Sequence, residues 1–358
     1  MKVPLTYPVA RHVEAFAGFI NTWIDLEGWQ RFKRRHLYGR RPGKSTAMND
    51  RRHSPEEGPL PLTSRLTYEG FQPLSSSVKA ELAARSHPGQ RPTNEDHYLI
   101  LRLGRHQETL ATSLADGEVP ARFDEAAYAM VVADGMGAGG SGETASRLAI
   151  TTLAHLLLHF GKWNVRIDPR TAEEVKDRAE RFYRRVEDTV TDTGIKFPAL
   201  TGMGTTLTAA CSAGDDLFTA HVGHSRAYLF RNARLTQLTR DQTFAQRQID
   251  TGHPTLIELA AHDLRHILTD AIGGHAGDAS VQIGHFRLKH DDCVLLCTNG
   301  LTDVLDNERI TAILQAPHAL EEQCQALVDL ALASGGADNV TAVMAKYTVP
   351  EASADSVA

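Results

Sequence analysis

Residues 205–239 pass through four short β-like stretches in quick succession: "TTLTAACS", "LFTAHVGHS", "RAYLFRN" and "ARLTQLT". Only tight turns separate them, so consecutive stretches pair as hairpins and the sheet they build is antiparallel. Upstream, "VKAELAARS", "HYLILRL" and "AYAMVVADG" read as further strands, the last a buried one. Two long helical stretches follow, "GETASRLAITTLAHLLLHF" and "TAEEVKDRAERFYRRVEDTV", the second opened by a Thr171–Glu174 capping box. Residues 241–275 read as a helical insertion with Gly and Pro breaks. "VQIGHFRL" and "CVLLCTN" return to strand, two helices are expected near 306–316 and 319–333, and "VTAVMAKY" closes as a strand. Helices therefore come in pairs between blocks of hairpins rather than one per strand, which predicts an α+β chain with antiparallel sheets, not a doubly wound parallel sheet.

The chain has 358 residues, 42% of them hydrophobic and 23% charged, enough apolar material for a sizeable core. A formal charge of −6 argues against nucleic acid as the partner. No run of about 20 apolar residues suggests a membrane span, and "MKVPLTYPVARHVEAF" lacks the pattern of an export signal. Cys211, Cys293, Cys297 and Cys324 sit mostly in apolar surroundings and read as free buried thiols of a reducing compartment. The expected location is cytoplasmic. Before the strands, Val9, Val13, Phe16, Ile20, Trp23 and Ile24 mark an amphipathic helix, followed by seven basic residues between Arg31 and Lys44 and a polar, Pro-containing linker. This gives an N-terminal extension over 1–60, a linker over 61–76, a main domain over 77–348 and a flexible tail over 349–358. The helix is expected to dock on the main domain or on a partner. A peripheral seat on an anionic membrane is the other reading.

Gly137-Ala-Gly139-Gly-Ser-Gly142 matches G-x-G-x-x-G after a strand and before a helix. A dinucleotide site also needs a second strand with an acid about 20 residues on. Here the helix is still running at residue 159 and "FGKWNVR" carries no acid, so the glycines are read as a loop passing close to the end of the preceding strand. The acids show what lies there. Asp134 ends "MVVADG", Glu95 and Asp96 precede a strand in "RPTNEDHY", and Asp338 precedes another in "GGADNVT". Acids at strand ends beside glycine suit a hard divalent cation, although each alone is an ordinary turn residue. His155 and His159, spaced i, i+4 on the long helix, have no evident third ligand and read as a packed or surface face. His97 reads as a structural histidine at a strand start.

These motifs, in order, carry a resemblance. "RPTNEDH", "VVADGMGAGGSGETAS", "GMGTTLTAA", "AHVGHSRAYLFRNARLTQLTRDQ", "ILTDAIGG", "LLCTNGLTDVL" and "GGADNVTAVM" resemble the metal-dependent serine/threonine phosphatases of the type 2C (PPM) family over residues 77–348. "DGMG" is similar to bacterial members. The resemblance implies a four-layer α-β-β-α sandwich of two antiparallel sheets flanked by helices, with two Mg²⁺ or Mn²⁺ ions at one edge. It implies that Asp134 bridges both ions, that the Gly135 carbonyl is a ligand, that Glu95 serves the second ion through water, that Asp96 orients water and that Asp338 holds the first ion. Arg91 would clamp the substrate phosphate. The implied reaction is hydrolysis of phosphoserine and phosphothreonine in proteins, reversing a cognate serine/threonine kinase, with 241–275 as a flap beside the site. No cysteine is followed six positions later by arginine, so a cysteine-dependent phosphatase loop is absent.

Three departures qualify this. Asn299 and His224 stand where the family usually has aspartate, the first a ligand of the first ion, the second helping to hold a third, weaker ion. That third site keeps only Asp303 of its usual acids. Met136 replaces the histidine that acts as general acid in eukaryotic relatives. Asparagine can still donate its carbonyl oxygen, so weakened metal binding is expected more than lost catalysis. The alternative is a weakened or inactive phosphatase-like module that binds phosphoproteins.

Overall fold

The computed structural model describes residues 77–115, 117–162, 167–252, 266–274 and 279–350. The expected N-terminal helix, basic stretch and linker, the tail beyond 350 and the middle of the expected insertion lie outside the described residues. Twelve strands are found among the described residues. They are β1 (Lys79–His87), β2 (Asp96–Glu108), β3 (Arg122–Met136), β4 (Gly204–Thr205), β5 (Leu207–Ala213), β6 (Asp216–Val222), β7 (Arg226–Arg231), β8 (Arg234–Gln237), β9 (Ile272–Gly273), β10 (Gln282–Arg287), β11 (Cys293–Cys297) and β12 (Val340–Thr348). The helices are α1 (Ser141–Phe160), α2 (Pro169–Lys196), α3 (Phe244–Asp250), the one-turn α4 (Asn299–Thr302), α5 (Asn307–Gln315) and α6 (Leu320–Ala333).

One sheet has five strands in the order β1-β12-β11-β7-β8. The other has seven, with β10-β6-β5-β3-β4-β9 in a path and β2 paired to β3. Every strand pairing is antiparallel. The expected hairpins are present: Arg231 pairs with Arg234 around Asn232 and Ala233, both with positive φ, the twist a two-residue hairpin loop requires.

Alternate residues of the central strands go to different cores, which explains their near-continuous apolar runs. On β3, Met130 and Val132 enter the core between the sheets, where they join Leu296 and Val343. Val131 and Ala133 face the opposite side, packing with Ala145, Ala149, Phe182 and Val186 of α1 and α2. On β11, Leu295 and Cys297 face α5 and α6, meeting Ile310, Leu314, Leu327 and Val328. Helices thus cover the outer face of each sheet, and the four layers run α-β-β-α. A strand buried on both faces has no polar alternation to show.

One local expectation is corrected. α2 begins at Pro169, and its cap is Asp168, whose carboxylate accepts from the Thr171 amide at 2.7 Å. The Thr171–Glu174 pair lies inside the helix and does not cap it. Proline at the first helical position needs no amide partner, and Asp168 satisfies an orphan donor, so the cap moves three residues earlier. Of the insertion expected over 241–275, the described part holds only α3, then β9, which rejoins the seven-stranded sheet beside β4. The four cysteines are free, and burial pushes the thiols of Cys293, Cys297 and Cys324 up to about 12.

Candidate metal centre and phosphate pocket

Asp96 and Asp134 stand opposite each other in the β2–β3 register, at the edge where the two sheets approach. Asp134 follows the buried run of β3. Its amide donates to the Thr206 hydroxyl at 3.0 Å, and its carbonyl accepts from the Thr206 amide and the Thr205 hydroxyl, both at 2.9 Å. The Asp134 backbone is thus fully engaged, and the carboxylate is its remaining polar group. Asp96 is 5% exposed; its Oδ2 accepts from the Thr298 and Thr341 hydroxyls, both at 2.7 Å, while its Oδ1 is buried without a partner.

The Gly-rich loop has the structural role expected of it. A Cβ on Gly135 would lie 2.1 Å from the Gly142 carbonyl oxygen, and one on Gly142 would lie 2.3 Å from the Glu95 carboxylate. The start of α1 is therefore seated directly on Gly135 and Glu95. The Glu95 carbonyl accepts from the Gly135 amide at 3.2 Å and the Ser146 hydroxyl at 2.6 Å. His97 joins the same packing through Ser146 at 2.9 Å and is structural. His155 and His159 lie exposed on α1.

Asp338 sits just before β12, paired with Arg91 through two contacts of 3.0 Å. Arg91 is positioned by the loop it sits on. Asn339, 6% exposed, donates to the carbonyls of Pro88 and Thr93 and accepts from the Glu95 amide. This residue, like Thr298 and Thr341, was not singled out from the sequence. Its only sequence signal is its place beside Asp338.

Asn299 follows Thr298 at the start of α4, and Gly300 comes next, where a Cβ would lie 2.0 Å from the Asn339 carbonyl oxygen. The turn carrying Asn299 is thus pressed against the strand entry carrying Asp338. Asp303 ends the same turn, its amide bonded to the Asn299 carbonyl at 2.8 Å.

Electrostatics confirm that these acids share one field. Loss of hydration pushes the Asp134 carboxyl well above the ordinary range, and repulsion from Asp96, Asp338, Asp303 and Glu95 adds to it. Burial pushes Asp96 up to about 7 against the two threonine hydroxyl bonds that favour its charge. Glu95 and Asp303 are raised as well, both chiefly by burial. Carboxylates that raise one another's pKa values along one edge, with a buried unpartnered oxygen among them, form a charge pattern that a cation would answer. The set is all oxygen, the chemistry that fits Mg²⁺ or Mn²⁺.

The family model for protein phosphatase 2C matches residues 121–333, and the chain belongs to that family. It is 36% identical over 233 residues to the serine/threonine protein phosphatase PstP of Mycobacterium tuberculosis, an alignment covering 64% of this chain and 43% of that one. The chain thus spans less than half of that relative's length. Among solved structures, the S. agalactiae serine/threonine phosphatase superposes with a TM-score of 0.62 at 26% identity, covering 75% of this chain and 99% of the other. The catalytic domain of PstP in complex with two manganese ions superposes with a TM-score of 0.58 at 32% identity, covering 76% and 99%.

Proposed function

We propose that the chain is a divalent-cation-dependent protein phosphatase that hydrolyses phosphoserine and phosphothreonine. The observation that carries this is the row of acids Glu95, Asp96, Asp134, Asp303 and Asp338 along one edge, where burial and mutual repulsion push Glu95, Asp96, Asp134 and Asp303 toward protonation. The kinship to PstP, solved with two manganese ions, supports Mn²⁺ or Mg²⁺ as the cofactor.

Asp134, the Gly135 carbonyl, Glu95, Asp338 and Asn299 would hold the ions. When bound, such ions acidify water and neutralise the charge of a phosphomonoester. The chain's own groups do the rest. Asp96, locked by two threonine hydroxyls, keeps its unpartnered Oδ1 available to accept a proton from water. Arg91 carries a guanidinium fork already placed at the mouth by the Asn339-pinned loop; the geometry that holds the Asp338 carboxylate suits two phosphate oxygens equally. Asn299 contributes a neutral oxygen where a carboxylate would bind more tightly, so the site should need more Mn²⁺ for half-saturation. A kinase whose products are this enzyme's substrates, and a seat in the cytoplasm, complete the proposal.

The test is hydrolysis of a phosphothreonine peptide across a Mn²⁺ titration, for wild type, Asn299→Asp and Asp134→Ala. Chelator-sensitive turnover that disappears in Asp134→Ala is expected. Silence of the wild type at every Mn²⁺ concentration, with recovery in Asn299→Asp, would overturn the active reading.

A further inference from the structure

Beside the carboxylates, a second group of a different chemistry comes together. His224 lies in the β6–β7 connection, His266 lies in the insertion ahead of β9, and Asp303 closes the α4 turn. One donor atom from each lies within 4.8 Å of the other two. The sequence singled out His224 and Asp303 separately; His266 was missed, because nothing in its spacing along the chain announces that it returns to this point.

We propose that His224, His266 and Asp303 turn the position of the family's third, weaker ion into a nitrogen-rich site selective for a borderline transition metal, Zn²⁺ first among them, in place of the oxygen-only ligands that suit Mg²⁺ or Mn²⁺. Three features carry this. His224 is 4% exposed and its Nδ1 is buried with no hydrogen-bond partner. A neutral imidazole nitrogen left so is an unanswered acceptor, at a cost of about 1–3 kcal/mol. Its other nitrogen, Nε2, lies 3.3 Å from the Asp241 carboxylate. That carboxylate is itself gripped by the Arg226 fork at 2.8 and 2.5 Å. A carboxylate holding Nε2 fixes the tautomer and leaves the Nδ1 lone pair unengaged, the arrangement usual behind ligating histidines. Finally, the His266 Nδ1 is 3.6 Å from the Asp303 carboxylate, and its ring stands edge-on to that of His224 at 67° with centroids 6.4 Å apart. The two imidazoles therefore approach from different directions.

Tetrahedral donors at ~2.1 Å from zinc lie about 3.4 Å apart. The group must contract a little, and His266, its side chain 43% exposed, has room to turn. Two imidazoles and one carboxylate give three protein ligands and leave a position open, a set that suits Zn²⁺ and Co²⁺ well and Mg²⁺ poorly. The site does not depend on the phosphatase reading: it would bind metal whether or not the chain turns over a phosphopeptide.

The experiment is metal binding by the full chain stripped with chelator, read by Co²⁺ visible absorption and by Zn²⁺ competition against a chromophoric chelator. Wild type should show the intense visible bands of a low-coordinate, nitrogen-ligated Co²⁺ and one tight Zn²⁺ equivalent. His266→Ala, an exposed substitution that leaves the core untouched, should lose those bands and weaken Zn²⁺ by at least about 100-fold, on the scale of losing a ligand or its support. His224→Asp should exchange Zn²⁺ preference for Mn²⁺, while Asp134→Asn should keep both the Co²⁺ bands and the tight Zn²⁺. The proposal is overturned if His266→Ala matches wild type in both readouts, or if Asp134→Asn abolishes them.

Discussion

Replacing Asp96 by asparagine should change how the stability of the chelated protein depends on pH. Burial pushes the Asp96 carboxyl from 3.8 up to about 7. An acid raised in the folded state contributes stability that is complete below its unfolded pKa and is lost as pH rises through its folded one. At ~1.4 kcal/mol per unit the whole loss is about 4 kcal/mol, of which about 3 kcal/mol falls between roughly pH 4.5 and pH 7.5. A profile of the wild type alone would not isolate this, because Asp134, Glu95 and Asp303 act in the same sense and His221 in the opposite one. Burial pushes the His221 imidazole down to about 4, while Nε2 donates to the Arg240 carbonyl at 3.2 Å and Nδ1 is hydrogen-bonded to the Thr208 hydroxyl at 2.8 Å. Burial thus disfavours the charged ring, so His221 adds about 2–3 kcal/mol as pH climbs through the same window. The difference between wild type and Asp96→Asn isolates the Asp96 contribution. Urea unfolding in chelator, at steps from about pH 4.5 to pH 7.5, should show the variant gaining on the wild type by about 3 kcal/mol. Parallel profiles would refute the assignment of a raised pKa to Asp96. Excess Mn²⁺ should reverse the wild-type trend, because cations bind the deprotonated carboxylates.

Other perturbations test the remaining parts of the site. Asn299→Asp should lower the Mn²⁺ needed for half-maximal phosphopeptide hydrolysis by about tenfold, the scale of about 1.4 kcal/mol, and should lower the melting temperature in chelator by adding charge to the group. Arg91→Ala should raise KM for a phosphopeptide more than it lowers kcat, and Arg91→Lys should restore only part of the loss because a single ammonium lacks the paired donors; equal KM values would remove Arg91 from the phosphate pocket. Gly300→Ala should destabilise the protein by about 1–3 kcal/mol in thermal melts, since its Cβ would sit 2.0 Å from the Asn339 carbonyl oxygen, and the Mn²⁺ requirement should rise with it. In Gly142→Ala the added methyl would meet the Glu95 carboxylate at 2.3 Å, so a loss of Mn²⁺ affinity out of proportion to the loss of stability is expected.

The layered architecture was legible because its signals are local. Hairpin turns between short strands, paired helices between blocks and acids at strand ends all lie within a few residues of one another. What could not be read was contact between distant segments. Thr298 and Thr341 look like ordinary strand residues until the fold brings both hydroxyls to one oxygen of Asp96. Asn339 looks like a turn residue until it ties down the loop of Arg91. His266 is more than thirty residues from both of its neighbours in the chain, and no periodicity links them. The start of α2 failed for the opposite reason. Two local capping signals competed within four residues, and the Asp168-Pro169 pair won because it caps one amide and removes the need for another.

The position of Asp96 also explains why the site sits where it does. Asp96 begins β2, in the seven-stranded sheet, yet its buried oxygen is held by Thr298, at the end of β11, and by Thr341, on β12, both belonging to the five-stranded sheet. The Thr298 hydroxyl also accepts from the Thr341 amide at 3.0 Å, and the Thr298 amide donates to the Thr341 carbonyl at 3.1 Å. A single carboxylate thus fastens the two layers together at the edge where the acids converge. Valine has the shape of threonine, but in either of these places it would leave a buried carboxylate short of a donor, at a cost of about 1–3 kcal/mol. The hydroxyls are therefore required by the charge, and the charge by the proton-accepting role proposed for Oδ1. Sandwich packing and the proposed cation chemistry meet in one residue, so a change that loosens the sheets at this edge should be felt first as a change in metal affinity.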